Sequence, residues 1–142
     1  MIITLLTFYI FIVMSAVAKI HMYWMQGGLW PGENKQDLIN KVIGQGNLFP
    51  SALSCLGVIV VFVIMAIFPL GIYYKFDFGF MNPYTSYIMY FFSGIFFLRA
   101  SLMFIPRIEQ RAHKIFIQYN KRYYAPLCFS LSFAYLILAG NV

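Results

Sequence analysis

Seven side chains near the ends of apolar stretches have the types and spacing to hold a ligand. His21 and Trp24 stand three residues apart, on one helical face, and Tyr23 lies between them, four residues after Lys19. Arg99 lies near the end of another apolar stretch, and Asn120, Tyr123 and Tyr124 stand at the start of the last. His21, Tyr23, Trp24, Arg99, Asn120, Tyr123 and Tyr124 offer donors and a cation but no carboxylate. Their complement is an anionic or carbonyl-bearing group, such as a lipid phosphate or a small hydrophobic acid.

Each residue also has a structural reading. Trp24, Tyr123 and Tyr124 suit an aromatic belt at a membrane interface, and Lys19 and Arg99 suit snorkelling to headgroups. The two histidines, His21 and His113, do not fall at metal-ligand spacing, so no metal or cofactor is expected. No Gly-x-Ser-x-Gly elbow and no phosphate-cradling glycine loop occurs, and no catalytic residue is assigned. Cys55 and Cys128 read as buried apolar thiols.

The elements that must position these groups follow from composition. The 142 residues are 62% hydrophobic and only 10% charged, against about 45–50% and 25% in soluble domains. So few charges cannot coat a soluble globule, and lipid is the expected solvent. Four stretches have the length of a membrane-spanning helix, about 2–25, 48–74, 84–104 and 123–140. The expected fold is all-α: a single domain, residues 1–142, forming a four-helix transmembrane bundle. Pro69 should kink the second span, and Pro126 suits the first turn of the fourth. Gly27-Gly28, Trp30-Pro31-Gly32 and Gly44-Gln45-Gly46 should break any helix through the first loop. In the third loop Ile105, Ile108, Ala112, Ile115, Phe116 and Tyr119 recur at helical spacing opposite Arg107, Arg111, Lys114 and Gln118, which predicts a short interfacial amphipathic helix.

Loop charges give the orientation. Lys19, Lys35 and Lys41 in the first loop, and Arg107, Arg111, Lys114, Lys121 and Arg122 in the third, oppose Lys75 alone in the second. The positive-inside rule puts both basic loops in the cytoplasm and both termini outside. This placement explains the net charge of +6 without nucleic acid, for which no motif is present. It also brings the seven candidate residues to one end of the bundle.

These residues carry a resemblance. His21-Met22-Tyr23-Trp24-Met25-Gln26-Gly27-Gly28 resembles the H-x-Y-W-x-x-G-G signature of a bacterial family of small membrane proteins, domain of unknown function 3995. Leu98-Arg99-Ala100, Tyr123-Tyr124-Ala125-Pro126-Leu127-Cys128 and Pro50 are similar to later segments of that family, in order. Asn120 stands where the family commonly has Asp, and Ser101-Leu102-Met103-Phe104 lacks a Gly-Asp-Phe-Arg-like stretch. The resemblance implies four helices in a bacterial cytoplasmic (inner) membrane and no known activity.

The reading is a non-enzymatic binding or accessory protein whose cytoplasmic-side cluster takes a lipid-like or anionic ligand or a membrane partner. One alternative is an immunity protein against a membrane-active toxin. The other is an enzyme acting on a membrane-embedded substrate, with His21 as acid–base group.

Overall fold

Without a charge before Lys19 to interrupt it, the first apolar stretch forms α1 (Ile2–Met25). Its end is chemically specified. The Gly27 and Gly28 N–H groups donate back to the Trp24 and Tyr23 carbonyls, and Gly27 sits at φ +91°, where a side chain would strain the backbone. The glycine and proline clusters break the first loop as expected, and a short helix the sequence did not signal, α2 (Lys35–Val42), stands between them. Asn34 caps the Asp37 N–H, the Asp37 carboxylate accepts from the Glu33 N–H, and Leu38 and Ile39 are buried.

Ser51 caps α3 (Ala52–Tyr73) directly after Pro50, so the expected span from 48 loses its first residues to extended chain. A short 3₁₀ helix (Gly79–Tyr84) leads into α4 (Thr85–Leu102). The third loop corrects the expectation of one interfacial helix. It contains a single turn, α5 (Pro106–Glu109), a break, and α6 (Lys114–Tyr119). A π turn (Asn120–Tyr124) joins α6 to α7 (Ala125–Ala139), so the last helix begins nine residues before the expected start at 123. The computed structural model describes residues 1–102 and 104–142, and among the described residues all regular structure is helical. Met103, inside the expected third span, lies outside them.

Among the described residues, three helices are long and apolar enough to cross a membrane: Ile2–Met25, Ala52–Tyr73 and the continuous Lys114–Ala139. The 18-residue α4, with its hydroxyl side chains and Arg99, is not among them. Packing couples the long helices in pairs, α1 with α3 and α4 with α7, and α1 also meets α7. Along α4 and α7 the Ser86 hydroxyl donates to the Ala139 carbonyl (2.7 Å), and the Ser93 hydroxyl to the Ser132 carbonyl (2.8 Å). These bonds fix an antiparallel register and satisfy the buried Ser93 hydroxyl and the part-buried Ser86 hydroxyl. At the centre, buried Tyr135 stacks on Phe96 (5.8 Å) and meets Phe92 edge-on (5.6 Å). Its hydroxyl donates to the Met65 carbonyl of α3 (2.7 Å).

Candidate functional site

The turn after α1 is built from the first motif. The Tyr23 ring lies where a Cβ on Gly28 would fall, within 2.3 Å, so residue 28 has room only for glycine while that ring stays in place. The Tyr23 hydroxyl accepts a long bond from the Trp30 N–H (3.5 Å). The Trp24 indole N–H donates to the Trp30 carbonyl (2.6 Å). His21 takes a different part: its Nδ1 pairs with the Val17 carbonyl (2.8 Å), and its ring packs edge-on against Trp24 and Phe62.

The first loop then folds over the end of α7's helix. Lys41 pairs with Asp37 (2.7 Å) and donates to the Pro31 carbonyl (3.0 Å). The Lys41 ammonium holds the Asp37 carboxyl below its usual value, and Asp37 holds Lys41 above its own. The Tyr124 hydroxyl donates to the Lys41 carbonyl (3.0 Å), and the His113 N–H to the Gly44 carbonyl (2.7 Å). The Pro31 and Gly44 loop carbonyls and the Lys41 carbonyl in the last turn of α2 are thus each satisfied from outside a regular helix ladder.

Arg99 finds partners without a carboxylate. Its Nη1 donates to Asn120 Oδ1 (3.2 Å), and its guanidinium lies 5.9 Å from the Phe116 ring centroid. Asn120 is fully buried, and its Nδ2 has no hydrogen-bond partner among the described residues. Phe116 in turn packs on Tyr124 (6.0 Å).

Beside this cluster a groove of about 750 Å³ opens between the end of α1 with the Trp30–Pro31 loop and the α6–π–α7 helix. Ile20, Trp24, Trp30 and Pro31 line one side; Gln118, Tyr119, Arg122, Tyr123, Tyr124 and Leu127 line the other. The π turn lets three consecutive residues, Arg122 to Tyr124, share the lining. Its walls are apolar and aromatic, with a few donors converging on them, the usual composition of a ligand site.

Of the seven residues singled out from the sequence, Trp24, Tyr123 and Tyr124 line the groove. Tyr23 supports the Trp30 turn, Arg99 and Asn120 pair with each other, and His21 packs toward α3. The groove also uses Ile20 and Leu127 from the expected spans, Gln118 and Tyr119 from the expected amphipathic helix, and Trp30, Pro31 and Arg122 from the loops, none of them among the seven. The four-residue steps Tyr119–Tyr123–Leu127 and Gln118–Arg122 were the available signal, since one continuous helix puts each set on one face. Among the described residues, no group of three or more His, Cys, Asp or Glu could hold a metal ion.

A family model described as "Protein of unknown function (DUF3995)" matches residues 14–135, nearly the whole chain. Neither a curated protein nor a solved structure matches it.

Proposed function

We propose that this chain, which belongs to the DUF3995 family, is a four-span membrane protein that holds a lipid-like amphiphile in the groove beside Trp24. The fourth crossing is α4. It runs beside α7 from the Ser86–Ala139 bond to the Arg99–Asn120 bond, so it flanks the Asn120–Ala139 part of a helix that is itself long enough to span. At the opposite end a small cavity is lined together by Ile3, Ile72, Met89 and Leu138, one from each long helix. Four antiparallel crossings account for that convergence. With the basic loops in the cytoplasm, the groove lies at the level of the inner leaflet's headgroups in a bacterial cytoplasmic membrane, and both termini lie outside.

The observation that carries the binding reading is the groove's lining. Ile20, Leu127 and Pro31 offer an acyl chain apolar contact, while Arg122, Gln118 and the tyrosines offer polar groups for a headgroup. Binding fits better than acid–base catalysis, because His21 bonds to its own helix and is absent from the groove lining. The test is native mass spectrometry of gently purified protein. Wild type retains lipid, and Leu127→Phe, which fills the groove with an apolar side chain, retains markedly less. Equal retention by both would reject the groove as the binding site.

A further inference from the structure

Which headgroup the groove takes is set by the charges around it, and this inference rests on the binding reading above. The chain has four acidic residues. Asp37 is paired with Lys41 and Glu109 with Lys121. Asp77 accepts from Gly79 and Asn82 in the loop between α3 and α4, at the other end. Glu33 is exposed in the first loop. None of the four lines the groove.

Arg122 is the cation in the groove lining. Its neighbour Lys121 is taken by Glu109, whereas Arg122 has no ion pair among the described residues and lies 5.4 Å over the Tyr123 ring. Stacking on a ring face orients a guanidinium without neutralising it, and leaves its in-plane N–H edge free for two oxygens. The groove therefore presents an oriented guanidinium, an amide and the Tyr119 and Tyr123 hydroxyls against no negative charge. The structure assigns Arg122 as the headgroup-selecting residue, and the ligand as a phospholipid with a net negative headgroup, its phosphate paired to that guanidinium. A zwitterionic phosphocholine carries its own cation next to the phosphate and gains less from Arg122.

Both tryptophans of the chain, Trp24 and Trp30, line the groove, so their emission reports its occupancy directly. The experiment reconstitutes the full chain in vesicles in which either phosphatidylglycerol or phosphatidylcholine carries brominated acyl chains, which quench indole on contact. Wild type should favour phosphatidylglycerol by about threefold to fivefold, the upper part of the range for one exposed charge pair, and lose the preference at high salt. Arg122→Gln should bring the ratio to about one while both lipids still quench, and Arg122→Lys should restore part of the preference. Equal quenching by the two lipids in wild type, or an unchanged preference in Arg122→Gln, would overturn the headgroup assignment. Quenching by neither lipid would instead overturn the groove reading on which it rests. Arg122 is exposed, so these substitutions leave the packing intact.

Discussion

The Tyr135 hydroxyl donates to the Met65 carbonyl, the one carbonyl in α3 that Pro69, four residues on, cannot serve because it has no N–H. Inside a bilayer no water would replace that bond. Tyr135→Phe should therefore cost roughly 1–3 kcal/mol of stability. Pro69→Ala in the same background should recover much of it by restoring the helical donor. Thermal unfolding of the single and double variants measures the coupling, and strictly additive effects would show that the two residues do not share this carbonyl.

Among the described residues, Arg99 has Asn120 Oδ1 as its side-chain acceptor, and the buried Asn120 NH₂ is left without a partner. Asn120→Leu should destabilise by about 1–3 kcal/mol, since it strands a half-buried guanidinium. Asn120→Asp should be milder than Asn120→Leu, because it keeps the acceptor, adds an opposite charge and removes the orphan donor. Unfolding midpoints in the reverse order would refute this view of the pair.

Acid should loosen the first loop before it affects the bundle. Asp37 is held below its usual value, first by the Lys41 hydrogen bond and then by the Glu33 N–H. A depressed carboxylate contributes stability that is complete above its unfolded pKa, about 4, and is lost as pH falls through the folded value. Amide exchange in α2, corrected for its intrinsic rate, should accelerate below about pH 4, and Asp37→Asn should lose that dependence. Protection of α2 that stays constant into strong acid would contradict the Asp37–Lys41 latch.

Much of this architecture is legible in the sequence, for a physical reason. Runs without charge fix where helices can stand, and α1 has the bounds that its run implies. Counting crossings also brings Arg99 and Asn120 to one end, where they bond. What stayed hidden depends on tertiary contact. Lys35–Val42 is short, and burial of Leu38 and Ile39 holds it as a helix where its glycine-flanked sequence argues for a loop. The break at Ala112–His113 divides a stretch whose hydrophobic period is unbroken, because the His113 N–H bonds to Gly44 instead of continuing a helix. Arg122 reads in one dimension as one more cytoplasmic charge; only the π turn and the folded first loop bring it to a groove.

Topology offers an independent check on α4. A reporter fused after Val142 should read outside the cytoplasm, and reporters inserted near Lys35 or Arg111 should read inside. Three crossings in place of four would put the two termini on opposite sides. A cytoplasmic reading after Val142, combined with an external N-terminus, would therefore reject α4 as a crossing.

Where lipid sits on the protein is most directly read by photolabelling with a phospholipid whose acyl chain carries a diazirine, followed by peptide sequencing of the adducts. Occupancy of the groove predicts labels concentrated on its lining, Ile20, Trp24, Tyr123 and Leu127 foremost, and diminished there in Leu127→Phe. Labels spread along the exposed apolar side chains of α3 and α4, such as Val60, Ile64, Phe91 and Ile95, with none enriched in the groove, would mean that the protein only displays an ordinary lipid-facing surface.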